Sequence, residues 1–272
     1  MNLNISEKGF LIIKKAISLK TIKEIQLSIL QKLSNKKQKA ASYKKFEKLV
    51  KKNIKKEFKF VESANNEIYA NGLIDKLLNE KKIFKVLTEL LGKDLCYLVD
   101  NVLTLNLPNK ANSELNYHFK DWHQEIWSGA DISTLQLWTP FFQKNNNSGQ
   151  IDIIPGSHVW GHVPHSNRKP LIMPKSYKTL KTKLNIGDIL IFNTTLMHKT
   201  NETKFPRLAF PILIKNFKYK NNSFENNRNW KIFSYSELTK IERALGNHHL
   251  SPFRVTNKNQ FFSEGTIKKI KS

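Results

Sequence analysis

The chain has 272 residues, with 46 Lys and Arg against 22 Asp and Glu, for a formal charge of +24. That length buries a sizeable core as one large domain or two small ones. A composition that is 39% hydrophobic, with 17 Phe and 5 Trp, excludes a disordered polycation. Only five of the cations are arginine, leaving 41 lysines beside abundant Asn and Ile. A/T-rich codon usage produces that bias without selection for a polyanionic partner, so most of the charge reads as a solvated surface. No apolar run approaches the roughly 18 residues of a membrane span, and the opening MNLNISEKGFLIIKKAISLK lacks the cleavage site of a secretory leader. The lone Cys96 excludes an internal disulfide and suits a reducing compartment. A soluble cytoplasmic protein with no membrane partner is expected.

Residues 18–60 read as helix, because Ile22, Ile25, Ile29 and Leu33 recur every three or four positions without Pro or Gly. The lysine-dense part from Lys36 to Lys59 continues it, with Phe46, Leu49 and Val50 as its apolar stripe. A second helix is expected over 72–91, where Ile74, Leu77, Leu78, Ile83, Val86, Leu87 and Leu90 share a face and Gly92 stops the run. Past Gly92 the pattern changes to short apolar runs between turn residues: 95–107, 134–143, 150–158, 187–194 and 207–217. Their spacing predicts antiparallel strands in a sandwich or barrel. Asn145 to Gly149 and Pro155-Gly156 mark turns, and a short helix is expected near Ser236–Leu245 in an Asn-rich tail. With no repeat and no linker, one domain over 1–272 is the economical reading. It comprises a helical layer at 1–92, a β-core at 93–217 and an extension at 218–272.

Asp121-Trp122-His123-Gln124-Glu125 contains an H-x-E pair. On a strand, residues i and i+2 share a face, so His123 and Glu125 would project together as two metal ligands. His198 follows the strand-like run 187–194 and can supply a third ligand. Two imidazoles and one carboxylate leave half of an octahedral iron's positions open, which is the facial triad of non-haem Fe(II) oxygenases. Nine residues on, Arg207 heads the next strand, where a buried guanidinium can clamp a carboxylate through two parallel hydrogen bonds. An isolated H-x-E is weak evidence; the order and context of all four residues strengthen it.

From about Leu95 to Phe217 the sequence resembles the phytanoyl-CoA dioxygenase family of Fe(II)/2-oxoglutarate oxygenases. The resemblance rests on DWHQEIW (121–127), LQLWTPF (135–141), SGQIDIIPGSH (148–158), GDILIFNTTLMHKTNET (187–203) and PRLAFPI (206–212). It implies a mainly β protein with a helical N-terminal layer (α+β) around a double-stranded β-helix core of jelly-roll, cupin-like form. It implies Fe(II) as metal, bound by His123, Glu125 and His198, with 2-oxoglutarate and O2 as co-substrates. Arg207 matches the principal anchor of 2-oxoglutarate and Thr200 a second contact; Trp138 often lines that pocket, and Gln124 borders it. Two positions depart from the family pattern. Glu125 stands where aspartate is usual, and the gap from His198 to Arg207 is shorter than the commonest one. A carboxylate at 125 argues against the halogenating branch, which places a small residue there.

The activity implied is hydroxylation of an unactivated C–H bond of a small metabolite, with release of succinate and CO2. The positive charge favours an anionic or carrier-linked substrate. A nucleic-acid-modifying oxygenase and a non-catalytic β-barrel binding protein are the alternatives; no arginine-rich stripe or nucleic-acid-reading motif supports the former. Oligomeric state is open. His158, in the P-G-S-H turn, reads as structural and Cys96 as a small core residue. His162 and His165 fall in a connector that could touch substrate, as could His118 and Lys120. The pair His248-His249 reads as solvent-facing.

Overall fold

In a computed structural model the chain is described over residues 5–53, 57–99, 101–108, 121–146, 149–167, 169–219 and 229–244, with two further strands at 260–263 and 266–269. A one-turn helix, α1 (Ile5–Lys8), leads into β1 (Phe10–Ile13), a strand inside the stretch expected to be a helical layer. The helix expected over 18–60 is three helices, α2 (Leu19–Ser34), α3 (Tyr43–Asn53) and α4 (Glu57–Ala70). Ser18 caps α2 by accepting the Thr21 N–H at 3.2 Å. Asn35 ends it in the left-handed conformation, with φ 51° and its N–H on the Lys32 carbonyl. Ser42 restarts the chain as helix, its hydroxyl accepting the Lys45 N–H at 3.3 Å. The apolar spacing runs across these breaks because Ile22, Ile25, Ile29, Phe46 and Val50 all enter one core. The second expected helix also divides, into α5 (Leu73–Leu78) and α6 (Lys81–Leu91). Glu80, between them, accepts the Ser18 hydroxyl at 2.6 Å and ties the start of α2 to the start of α6.

The strands follow as β2 (Leu95–Leu98), β3 (Thr104–Asn106), β4 (Leu135–Phe142) and β5 (Ile151–Ile153), the short hairpin β6 (His165–Ser166) and β7 (Lys169–Pro170), then β8 (Leu180–Lys181), β9 (Ile189–Asn193), β10 (His198–Thr200), β11 (Arg207–Asn216) and β12 (Trp230–Ser234). Helix α7 (Glu237–Ala244) lies where a short helix was expected, and β13 (Gln260–Ser263) pairs with β14 (Thr266–Lys269). One sheet has the order β1-β9-β4-β11-β2-β12 with β3 beside β11, and a second has the order β10-β5-β8. All pairings are antiparallel. The molecule is thus mainly antiparallel β with a helical N-terminal part, in the cupin-like arrangement, and among the described residues its sheets do not close into a continuous barrel.

The central strands of the large sheet are buried on both faces. Along β9, Ile189 and Ile191 join the core shared with helices α2 to α6, whereas Leu190 and Phe192 join the cluster shared with Ile151 and Ile153 of the small sheet. Along β11, Leu208, Phe210 and Ile212 face the helices and Ala209 faces the small sheet. Such strands read as unbroken apolar runs because neither face meets water. The sheet also takes β1 from before the helical layer and β12 from beyond residue 217, so its edges come from segments that sequence grouped elsewhere.

Phe46 of α3 stacks on Phe142 of β4 with ring centroids 4.5 Å apart, joining the lysine-rich helix to the sheet. Both rings are buried. Phe46→Ala is expected to cost about 3–5 kcal/mol of stability, read as a lower urea midpoint at unchanged m-value. A shift below about 1 kcal/mol would show that α3 adds little to the core.

Candidate metal centre

His123 and His198 are direct cross-strand neighbours. The His123 N–H donates to the His198 carbonyl at 2.9 Å, and the His198 N–H returns the bond at 3.0 Å. This single antiparallel bridge places both side chains on one face, with ring centroids 4.0 Å apart. Each ring points its Nδ1 at a backbone carbonyl, that of Asp121 at 2.7 Å for His123 and that of Leu196 at 3.0 Å for His198. A proton on Nδ1 makes those bonds and leaves Nε2 with its lone pair, the tautomer a metal requires. Both Nε2 atoms lie 3.3 Å from Glu125 Oε1. The three donor atoms fall within 4.8 Å of one another in a largely buried setting.

Glu125 reaches this point differently from the expectation of a regular strand. Gln124 is extended, with φ −115° and ψ 143°, but Glu125 opens a 3-10 turn over Glu125–Ser128. The turn is held by the Ile126 N–H on the Thr194 carbonyl at 3.2 Å and closed by Gly129 at φ 86°. The carboxylate therefore extends from the first residue of a turn and meets both imidazoles through its longer side chain.

Arg207 is buried, with 1% of its surface exposed, and its Nε and both terminal nitrogens lack a hydrogen-bond partner among the described residues. Burial pulls its pKa from 12.5 down to about 9. The guanidinium carbon lies 4.8 Å from the centre of the Trp138 ring, and Trp138 belongs to the apolar cluster between the sheets. Gly149, at φ 63°, leaves room for it, since a Cβ there would lie 2.9 Å from Arg207 Nε. Sequence reading took Gly149 for a turn residue only; the close approach of an arginine from a distant strand leaves no local signal. On β10, Thr200 shares the face of His198, opposite Ile151, while His198 stands opposite Ile153. Phe192 packs edge-on against His198 with centroids 4.7 Å apart. The three-donor cluster and the unpaired guanidinium thus adjoin one apolar interior.

Gln124, expected to border the co-substrate pocket, commits its amide to backbone. Its nitrogen donates to the carbonyls of Gly161 at 2.8 Å and Thr195 at 2.5 Å, and its oxygen accepts the Val163 N–H at 2.9 Å. His158 bonds the Ser6 carbonyl through Nε2 at 2.8 Å, consistent with a structural reading. Its neighbour Ser157 accepts the Met197 N–H at 2.9 Å, directly before His198. His165 stacks on Trp127 at 4.4 Å and His162 is exposed. Cys96 is buried on β2. His118, Lys120, His248 and His249 lie outside the described residues.

A sequence model of the family described as phytanoyl-CoA dioxygenase (PhyH) matches residues 5–209. Among solved structures, the chain is similar to the apo form of a non-heme monooxygenase, ThoJ, at 14% identity and a TM-score of 0.54, covering 86% of this chain and 83% of that one. It is also similar to EctD from S. alaskensis with bound Fe, at 15% identity and a TM-score of 0.51, covering 80% and 76%. At these identities the likeness establishes the shared fold. No curated protein is a significant sequence match.

The buried guanidinium generates a pH prediction. Between about 9 and 12.5 the unfolded chain keeps the Arg207 proton that the folded state releases, so stability gains from this group as pH rises through about 9. Without ligand, Arg207→Met is expected to be at least as stable as the parent near neutral pH, with the difference narrowing above pH 9. Denaturant titrations at neutral and alkaline pH check this, and a strongly destabilised Met variant would contradict it.

Proposed function

The chain belongs to the phytanoyl-CoA dioxygenase family, and from that premise we propose that it uses Fe(II) and 2-oxoglutarate to hydroxylate an unactivated C–H bond of a small metabolite. The observation that carries this reading is the convergence of two Nε2 atoms on one carboxylate oxygen, each at 3.3 Å, beside an interior that also holds an unpaired arginine. The donor set fits Fe(II): two neutral imidazoles and one carboxylate satisfy three positions and leave the others for co-substrates. His123, Glu125 and His198 would hold the metal. Bound there, iron supplies the redox chemistry that couples oxidation of 2-oxoglutarate to succinate and CO2 with insertion of an oxygen atom from O2 into substrate.

The remaining contributions belong to the protein. The Asp121 and Leu196 carbonyls keep each ring proton on Nδ1 and fix ring orientation. Arg207 offers its N–H groups to the distal carboxylate of 2-oxoglutarate, which offsets the cost of burying an unpaired cation. Trp138 covers one side of the guanidinium and keeps water from competing for it. Thr200 adds a hydroxyl on the face of His198. Ile151, Ile153, Leu190 and Phe192 line the interior with groups that offer no hydrogen bond to solvent.

The charge of +24 favours an anionic or carrier-linked substrate without naming it. Lysine-rich α3 packs Phe46 on Phe142 and donates its Tyr43 hydroxyl to the Pro206 carbonyl, leaving Lys44, Lys45, Lys48, Lys51 and Lys52 exposed. No described helix is long and apolar enough to cross a membrane.

The deciding experiment supplies Fe(II), 2-oxoglutarate and O2 with a metabolite panel, and follows succinate together with gain of one oxygen atom by mass spectrometry. His198→Ala is expected to abolish both signals, and full activity in that variant would overturn the assignment. Arg207→Met is expected to weaken 2-oxoglutarate binding by on the order of 100-fold, since two charge-assisted hydrogen bonds are lost. A protein that binds 2-oxoglutarate without consuming it under any substrate would be a binding protein instead.

A further inference from the structure

Gln124 lies between two proposed metal ligands, is fully buried, and directs its whole amide away from them. Its nitrogen and oxygen bond the Gly161 carbonyl and the Val163 N–H, the same donor–acceptor pairing that a neighbouring β-strand would offer to residues i and i+2. The second proton of that nitrogen goes to the Thr195 carbonyl, three residues before His198. One side chain thus joins three separate segments: the one carrying His123 and Glu125, the turn leading into His198, and the connector at 161–163. A further bond runs in parallel, from the Trp127 indole N–H to the Val163 carbonyl at 2.9 Å.

We propose that Gln124 is a positioning residue that sets the spacing of His198 relative to His123 and Glu125, with the connector at Gly161–Val163 as its outer brace. The backbone bridge between His123 and His198 fixes one point of contact between the ligand segments. The Ile126 N–H on the Thr194 carbonyl, at 3.2 Å, adds a second backbone contact between the same segments. Gln124 adds a side-chain tie between these two contacts, because it bonds the Thr195 carbonyl, between Thr194 and His198. Glu125 is the ligand that depends most on this tie, since it leaves the extended backbone at the first residue of a turn. The amide has no donor left for a ligand: both N–H groups are used, and its oxygen already accepts the Val163 N–H. Its length is matched to three backbone partners, which neither Asn nor an apolar residue can satisfy.

The proposal rests on the metal-site reading, so the test measures the metal directly. Co(II) serves as the spectroscopic probe, with affinity from titration and ligand geometry from the visible d–d bands, in the wild type, Gln124→Met, Gly161→Ala and His198→Ala. Gln124→Met keeps the volume and removes all three bonds. Gly161 lies at φ 72° and ψ −151°, a region open essentially to glycine alone, and a Cβ there would meet nothing within 4 Å. Gly161→Ala therefore re-aims the carbonyl that accepts from Gln124 without crowding the site. Gln124→Met is expected to bind Co(II) about 10–100-fold more weakly, with altered bands. Gly161→Ala is expected to shift both in the same direction by less.

If Gln124→Met folds but matches the wild type in affinity and spectrum, the proposal is overturned while the metal site stands. If that variant does not fold, an unaltered Co(II) affinity and spectrum in Gly161→Ala overturns the proposal. Wild-type binding that survives His198→Ala, or no wild-type binding, removes the metal-site reading and this proposal with it.

Discussion

Two reciprocal backbone hydrogen bonds between His123 and His198 bring together residues that are 75 positions apart, and the chemistry of the site depends on that meeting. An antiparallel pair bonded in both directions puts the two side chains on one face as neighbours. The Nδ1 bonds to the Asp121 and Leu196 carbonyls then decide which nitrogen faces inward. Glu125 completes the cluster from the first residue of a turn, its Oε1 3.3 Å from both Nε2 atoms.

The strands around the bridge are closely packed. β9 and β11 run apolar on both faces, one against the helical layer and the other against the small sheet. Close packing on two sides leaves little freedom for β10 or for the segment that carries His123. The helices therefore serve the site at a distance, by filling the outer face of the large sheet.

Arg207 shows the opposite economy. A fully buried cation without a hydrogen-bond partner among the described residues lowers stability, and the fold tolerates it through Trp138 on one side and a bare glycine, Gly149, on the other. Such an arrangement favours any ligand that brings a carboxylate into the interior. The site is thus less stable empty than filled, which couples co-substrate binding to stability of the core.

Much of this was legible in the sequence. The 3.6-residue spacing located the helical layer, short apolar runs located the main strands, and the order of His123, Glu125, His198 and Arg207 carried the chemistry. Local signals failed where contacts were non-local. The breaks at Asn35 and between α5 and α6 interrupt periods that stay in phase, and β1 and β12 join the sheet only because distant edges are open to them. Gln124 belongs to the same class: between two ligands its sequence position suggested the pocket, and only the paths of residues 161–163 and 195 turned it toward the backbone. By itself the sequence determined which residues could bind a metal and an anion, because that is a matter of donor type and order. Which atoms meet, which tautomer they hold and which side chain braces them was decided by tertiary structure, since these depend on backbone groups that every sequence shares.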